Sequence, residues 1–247
     1  METVLQVRNL TGGYSRAKPV LHDLSFAVGS GEMVGMIGLN GAGKSTTIKH
    51  VLGLMKPIAG EIEMNGVTLE TDPERYRASF AYVPETPLLY DELSVREHLR
   101  LTGMAYDVEQ ALYEERSEKL FAEFQMSAKK EAFPGSLSKG MKQKVMIMNA
   151  LLAAPMLYII DEPFLGLDPL GIRSLLSRLV AEKNRGAAIL ISSHILSTIE
   201  SYCDRFIVLH HGRIIAQGTL SDIRQAAGVN DAPLEEAFCR LVTEGNG

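Results

Sequence analysis

Cysteine is scarce in this sequence, because the 247 residues contain only Cys203 and Cys239. Two cysteines so far apart provide no disulfide framework, and a chain without one is typical of a reducing compartment. We therefore interpret both as packing residues rather than ligands, and we expect a cytoplasmic protein.

A long apolar run is also missing. A helix that crosses a membrane needs roughly 18 or more consecutive apolar residues. The longest candidate, 151–160, contains Pro155 and runs directly into Asp161-Glu162. Any attachment to a membrane is therefore expected to occur through a partner protein.

Basic residues are in the minority, with 25 Lys and Arg against 30 Asp and Glu, which gives a formal net charge of −5. This balance argues against general affinity for nucleic acid, so no nucleic-acid partner is expected. The composition is otherwise that of a folded globular protein, with 46% hydrophobic and 22% charged residues.

Apolar runs typical of buried strands alternate with helical stretches. The runs occupy 33–37, 157–160 and 187–191, and each ends in a polar or Gly-rich turn that leads towards a helix. This alternation predicts a parallel sheet covered by helices, with ligand-binding groups on loops at the carboxyl ends of the strands.

Other segments have different periodicity. Residues 4–7, 24–28 and 61–64 resemble half-buried strands, which predicts an antiparallel subdomain. Residues 206–209 and 214–217 predict a hairpin. A terminal helix that docks on the domain is predicted from the apolar stripe of Leu234, Ala237, Phe238 and Leu241.

The sequence has no internal repeat and no low-complexity linker, so we predict a single domain over 1–247. Residues 1–85 and 151–230 would form the core with the β subdomain. Helical periodicity over 86–150 predicts a helical insertion, and 231–247 would form the C-terminal helix and tail.

An anion-binding loop is the sharpest local pattern. It matches G-x-x-x-x-G-K-[ST] and follows the apolar run at 33–37; its residues are Gly38, Leu39, Asn40, Gly41, Ala42, Gly43, Lys44 and Ser45, with Thr46 after them. The three glycines permit positive φ angles that turn backbone N–H groups inward, towards the start of a helix. Lys44 would contact the terminal phosphates and Ser45 would coordinate Mg²⁺. A chance Gly-rich turn is the alternative.

Such a loop alone does not distinguish a kinase, a GTPase and a motor ATPase. The strand at 157–160 ends in two acids, Asp161 and Glu162. Asp161 is predicted to hold the Mg²⁺ water shell, and Glu162 to orient or deprotonate the attacking water. The alternative is a strand whose last residues are acidic only because they are exposed to solvent. The presence of the phosphate loop favours the functional interpretation.

Together with Leu137-Ser138-Lys139-Gly140-Met141, these motifs resemble the ABC ATPase family over nearly the whole chain. The resemblance implies a P-loop NTPase fold, α/β with a RecA-like core. It also implies that Ser138 and Gly140 contact ATP bound to a second copy of the chain, in an ATP-dependent head-to-tail homodimer.

The same resemblance implies roles for three further residues. Tyr14 would stack on adenine, Asp168 would lie in the loop that crosses the dimer interface, and His194 would contact the γ-phosphate or the attacking water. With Lys44 and Glu162, His194 completes the predicted catalytic residues.

In detail, the motifs look closest to the Ecs-type bacterial subgroup. This implies an integral membrane permease as partner, an exporter-like role and a peripheral location at the inner face of the cell membrane. Three residues depart from the family pattern: Glu85 replaces the usual Gln, and Lys139 and Met141 replace the commonest signature residues.

Glu85 allows two arrangements. Mg²⁺ could take the carboxylate into its shell, or the side chain could stay outside the site until the permease pushes its loop inward. The alternative to both is that Glu85 faces solvent or the permease and never approaches the nucleotide. The position of the loop beside the helical insertion favours the second arrangement.

Two other functions compete with the transporter interpretation. An ABC-type ATPase of DNA repair or translation would have no membrane partner, but such proteins tend to have a coiled-coil insertion or two cassettes, which this chain lacks. A regulatory module that senses ATP would show little turnover, and the pair of Glu162 and His194 argues against it.

Overall fold

The computed structural model describes residues 2–244 and is organised around a six-stranded sheet. Its strands are β3 (Met33–Ile37), β6 (Phe80–Val83), β7 (Leu157–Asp161), β8 (Ala188–Ser192), β9 (Arg205–His210) and β10 (Arg213–Gly218). The strand order is β10-β9-β3-β8-β7-β6, and all neighbours are parallel except the β9–β10 hairpin. The predicted parallel sheet and the predicted hairpin are both confirmed.

A second sheet is antiparallel throughout, as predicted. It has the order β2-β1-β4-β5 and consists of β1 (Thr3–Gly12), β2 (Leu21–Gly29), β4 (Ala59–Met64) and β5 (Val67–Thr68). Apolar residues of β1 and β2 pack in one core cluster with Val34, Met36 and Leu190 of the parallel sheet. This packing fixes the N-terminal sheet against the strand that precedes the phosphate loop.

Helices cover the parallel sheet and fill the connections between its strands. They are α1 (Lys44–Val51), α2 (Pro73–Ala78), α3 (Val95–Ala105), α4 (Gln110–Glu123), α5 (Lys139–Ala153), α6 (Pro169–Asn184), α7 (Leu196–Ile199), α8 (Leu220–Ala226) and α9 (Leu234–Glu244). Short 3₁₀ turns occur at Ser127–Lys129 and Pro134–Ser136.

The segment predicted to be a helical insertion contains α3, α4 and most of α5. A capping box, in which Ser94 and Glu97 bond each other's backbone N–H groups, begins α3. The side chain of Ser138 caps α5, which continues to Ala153 and therefore passes the predicted end at residue 150. Apolar residues of these helices join the same core cluster as β6 and β7.

Several short elements were missed by sequence reasoning, among them β5, α8, α2 and β6. The four residues Phe80–Val83 follow α2 almost directly, so the sequence offers no separate apolar run with its own turn signals. The register of β6 is set by pairing with β7, from Phe80 against Leu157 to Val83 against Ile160. A tertiary contact, rather than local pattern, defines this edge strand.

The terminal helix α9 packs on α7 and α8. Leu234, Ala237 and Phe238 are buried, which confirms the predicted docking of the apolar stripe. Residues 245–247 of the predicted tail lie outside the described residues. Within 2–244, the structure contains no helix of the length and apolarity that a membrane span requires.

Candidate functional site

The phosphate loop connects β3 to α1, with its residues at the carboxyl end of the parallel strands. Gly41 and Gly43 have φ angles of 80° and 113°. Gly43 is the N-cap of α1, so the positive end of that helix faces the loop. Lys44 is buried, and its Nζ donates a hydrogen bond to the carbonyl of Gly38 over 2.7 Å.

Gly38 differs from the prediction, because it does not adopt a positive φ angle as Gly41 and Gly43 do. A Cβ atom at this position would lie 2.6 Å from the carbonyl oxygen of Leu209 and 2.9 Å from the Cβ of Ala42. Glycine is therefore required at residue 38 for close packing against β9, whereas the other two glycines are required for backbone conformation.

Asp161 ends β7 and is buried beside the loop. Its Oδ1 accepts a hydrogen bond of 2.5 Å from the Ser192 hydroxyl, and Ser45 also hydrogen-bonds this carboxylate. Burial raises the pKa of Asp161, and the two serine hydrogen bonds oppose that rise. The structure therefore places a carboxylate and a hydroxyl, both suitable for Mg²⁺, next to each other.

Glu162 leaves the strand in a left-handed conformation, with φ of 46°, which is unfavourable for a residue with a side chain. Its backbone N–H compensates by donating to the carbonyl and the hydroxyl of Ser192. The carboxylate lies between two basic groups: Oε1 is 3.7 Å from Lys44 Nζ, and Oε2 is 2.6 Å from Nδ1 of His194. The backbone N–H of His194 donates to the same Oε2.

A cavity of about 890 Å³ brings most of the predicted residues together. Its lining comprises Tyr14, Val20, Gly38, Leu39, Asn40, Gly41, Gly43, Lys44, Ser45, Thr46, Glu85, Glu162, Leu165, His194, Leu196 and Phe238. The volume is within the range of small-molecule and cofactor sites. Lys44, Glu162 and His194, predicted to be catalytic, therefore share one wall of a nucleotide-sized space.

Sequence reasoning missed four apolar residues of the cavity lining, Val20, Leu165, Leu196 and Phe238. Phe238 was assigned to the buried stripe of α9, but the surface that the stripe covers depends on tertiary packing. No local signal in the sequence connects a helix at the end of the chain with the phosphate loop.

Tyr14 projects from the loop after β1, and 70% of its surface is exposed. Lys49 Nζ donates to its hydroxyl over 3.1 Å and lies 5.2 Å from the ring centroid. This hydrogen bond lowers the pKa of Tyr14. An exposed aromatic face at the edge of the cavity is suited to stacking on a planar base.

Glu85 lies on the wall of the cavity rather than outside it. Its negative charge contributes to the raised pKa of Asp161, after burial and the neighbouring Glu162. The same charge adds to burial in raising the pKa of Tyr82. The negative charges of Glu85 and Glu162 therefore both act on the Asp161 carboxylate.

Ser138, Gly140 and Asp168 are not among the described residues that line this cavity. The Ser138 hydroxyl accepts a hydrogen bond from the backbone N–H of Met141 at the start of α5. Asp168 caps α6 through the N–H of Gly171, and this hydrogen bond lowers the pKa of Asp168. A Cβ on Gly140 would lie 2.2 Å from the Gly166 carbonyl oxygen, so the two segments touch each other.

The donor set fits a magnesium ion that arrives with a nucleotide. No group of three or more His, Cys, Asp and Glu side chains within residues 2–244 is arranged to hold a metal ion. Mg²⁺ is usually bound by one or two carboxylates together with substrate phosphates and water. Ser45 and Asp161 beside a phosphate loop meet that requirement.

The loop, the acid pair and the fold define a P-loop nucleotide-binding protein. A profile of the family described as "ABC transporter" matches residues 21–165. The chain therefore belongs to the ABC transporter family, and it is an ATP-binding subunit of such a transporter.

Matches over nearly the whole chain include two relatives and one solved structure, as follows. The ABC-type transporter ATP-binding protein EcsA of Bacillus subtilis (strain 168) is 54% identical over 245 residues, 99% of each chain, which supports the Ecs-type resemblance. The lipopolysaccharide export system ATP-binding protein LptB of Acidithiobacillus ferridurans is 31% identical, over 96% of this chain and 99% of LptB. A solved ATP-binding subunit of an ABC transporter is 56% identical, with a TM-score of 0.94 over 96% of this chain and 99% of its own.

Proposed function

We propose that this chain hydrolyses MgATP and thereby drives an exporter-like transport process through a separate integral membrane permease. The observation that best supports this proposal is the position of Glu162, whose carboxylate lies between Lys44 and His194. Glu162 also directly follows Asp161 in the sequence. This arrangement suits the activation of water beside a bound phosphate.

The charged and polar groups at the cavity have different roles in the proposed reaction. Backbone N–H groups of the loop and the start of α1 attract the phosphates, and Lys44 exchanges its bonds to Gly38 and Glu162 for a phosphate oxygen. Glu162, oriented by His194, accepts a proton from the attacking water. Ser45 and Asp161 would hold Mg²⁺, which supplies neutralisation of the charge that develops on the phosphates.

A second copy of the chain supplies what this cavity lacks. Ser138 begins α5, whose N-terminus carries the positive partial charge that favours phosphate. Because Ser138 and Gly140 lie outside the cavity of their own chain, they would act on nucleotide bound to the partner. Two copies that pair head to tail would form two composite sites.

An exposed apolar face next to the Glu85 loop is the proposed contact with the permease. Leu88, Tyr90, Leu101 and Met104 are all exposed, and the Tyr90 ring stacks on His98 of α3. Leu101 and Met104 follow His98 at the helical spacing that places side chains on adjoining faces. Exposed apolar patches of this kind mark protein contacts, which in this case would place the chain at the inner face of the cell membrane.

The exporter direction is supported by the relative LptB, whose name assigns it to an export system. Purification of the chain from solubilised membranes tests the permease. Recovery of a polytopic protein in stoichiometric amount is expected, and this recovery should fall when Leu101 and Met104 are both changed to Ser. Recovery of the chain alone would contradict the transporter function and favour a role without a membrane partner.

Hydrolysis is tested with Glu162→Gln, which keeps the shape of the side chain but removes its basicity. Turnover should fall by about 10²–10⁴-fold, the range for loss of a general base, while ATP binding remains. Phosphate release and size-exclusion chromatography with MgATP measure the two effects, and a stable dimer should accumulate.

Glu115→Gln is the matched control, since Glu115 is an exposed glutamate of α4. It should leave turnover and oligomeric state unchanged. If Glu162→Gln hydrolyses ATP at the wild-type rate, Glu162 is not the catalytic base. If the wild-type chain and its complex with the permease both bind ATP without releasing phosphate, the chain is an ATP sensor.

A further inference from the structure

Gln143 connects two segments of the proposed mechanism. It lies in the second turn of α5, and only 1% of its surface is exposed. Its Nε2 donates a hydrogen bond of 3.2 Å to the carbonyl of Pro84. Pro84 immediately precedes Glu85, which lines the nucleotide cavity. One buried amide therefore ties the start of α5 to the Glu85 loop.

The same turns of α5 also contact the loop at 165–168. Lys144 Nζ lies 3.3 Å from Oδ2 of Asp168, and Gly140 packs against the carbonyl of Gly166. The helix that carries Ser138 at its cap is thus held by the Glu85 loop, which faces the cavity, and by a second loop that runs from Leu165 at the cavity to Asp168 outside it. A shift of the Glu85 loop would pull on α5 through the Gln143 side chain.

Packing alone does not explain why an amide occupies this position. The Oε1 atom of Gln143 is buried and has no hydrogen-bond partner among the described residues. A buried acceptor without a partner costs about 1–3 kcal/mol. An unbranched apolar side chain of similar length would fill the same space without that cost, but it would remove the donor to the Pro84 carbonyl. What the amide adds at residue 143 is therefore its bond to Pro84.

We propose that Gln143 is a positioning residue that transmits occupancy of the nucleotide cavity from the Glu85 loop to the Ser138–Gly140 turn. Its effect on the second copy rests on the dimer described under Proposed function. Within one chain the coupling needs no partner, since both ends of the link belong to the same polypeptide.

The test compares Gln143→Met with a matched control, Asn149→Leu. Asn149 lies further along α5 and also carries a buried oxygen without a hydrogen-bond partner among residues 2–244. Asn149→Leu should unfold at a temperature equal to or higher than that of the wild type, and Gln143→Met at a temperature close to it, because removal of the unsatisfied Oε1 is offset by loss of the bond to Pro84. The control therefore reproduces the removal of an unsatisfied amide, and only Gln143→Met removes the bond to Pro84.

Amide hydrogen exchange is measured with and without MgATP at a protein concentration where mass photometry shows single chains. In the wild type and in Asn149→Leu, MgATP should slow exchange in both 38–45 and 137–142. In Gln143→Met, protection of 38–45 should remain and protection of 137–142 should be lost. The proposal would be overturned if MgATP protected 137–142 equally in Gln143→Met and in the wild type. It would also be overturned if MgATP did not protect this segment in the wild type.

Dimer formation provides a second readout. In a Glu162→Gln background, Gln143→Met should raise the ATP concentration for half-maximal dimer formation at least tenfold, and Asn149→Leu should leave it unchanged. An unchanged midpoint in Gln143→Met counts against the proposal. If the Glu162→Gln parent never dimerises, the proposed dimer fails, and the single-chain exchange experiment still decides the role of Gln143.

Discussion

The carboxyl-end loops of the parallel sheet and the start of α5 both carry sequence motifs, but the two regions differ in their surroundings. At the sheet edge, Lys44, Asp161 and Glu162 are buried close to one another beside a single cavity. At the start of α5, the Ser138 hydroxyl has an exposed hydrogen bond to its own helix. The first region lines the cavity, whereas Ser138 and Gly140 lie outside it. The proposed second copy of the chain would bring bound nucleotide to this motif.

The largest expected effect that separates the two regions comes from Gly140→Ala. The added methyl group would clash with the Gly166 carbonyl, so the α5 turn must move. Because a displacement of about 1 Å can cost roughly 10²-fold in rate, turnover should fall by about that factor. Binding of a fluorescent ATP analogue to the single chain should change by less than about twofold, since this cavity is formed elsewhere.

Gly135→Ala is the matched control for that change. Gly135 lies in the 3₁₀ turn before α5, and a methyl group added there would have no other atom within 4 Å. It should retain wild-type turnover and wild-type dimer formation. Loss of single-chain ATP binding in Gly140→Ala would show that the two regions are not separate.

A second prediction concerns the buried acid of the sheet edge, Asp161→Asn. Burial raises the pKa of Asp161 above its usual value near 3.8, so the folded chain binds more protons than the unfolded chain between those two pKa values. Stability of the wild type should therefore fall as the pH rises through that window. Removal of the charge should raise the free energy of unfolding above the window by about 1 kcal/mol, as many stabilising substitutions do.

The same substitution should impair function while it improves stability. Thermal unfolding without nucleotide measures the first effect. The Mg²⁺ concentration for half-maximal ATP hydrolysis measures the second, and we expect it to rise at least tenfold if Asp161 helps to hold the ion. A variant that is both more stable and unchanged in its Mg²⁺ requirement would remove Asp161 from the metal site.

The smallest effect is expected for Glu85→Gln. Two unit charges about 4 Å apart interact by about 4 kcal/mol at an effective dielectric of 20, so Glu85 on the cavity wall must be balanced by a cation when phosphate binds. If that cation is Mg²⁺, the variant should need about two- to tenfold more Mg²⁺ for half-maximal hydrolysis. Titration of the isolated chain measures this shift.

Stimulation by the permease provides the control for Glu85→Gln. An unchanged Mg²⁺ requirement with altered stimulation would mean that Glu85 acts through the permease rather than through the ion. If the variant and the wild type have the same Mg²⁺ requirement and the same stimulation by the permease, Glu85 is excluded from the mechanism.

The sequence predicted the elements whose signal is local. Buried strands such as β7 and β8 are continuous apolar runs, and the phosphate loop combines glycines with a following helix start. The strand β6 and the contribution of Phe238 to the cavity were not predictable, because each depends on a partner distant in sequence. The requirement for Gly38 also arises from a tertiary contact, with Leu209, and local reasoning assigned it to φ instead.

The cavity is lined by residues from Tyr14 near one end of the chain to Phe238 near the other. During synthesis, the phosphate loop leaves the ribosome well before α9, which contributes Phe238 to the cavity lining. A nascent chain therefore cannot complete the pocket until α9 has emerged. Since a ligand stabilises only the state that binds it, nucleotide should stabilise chains that include α9, and chains terminated before α9 should remain targets for proteolysis.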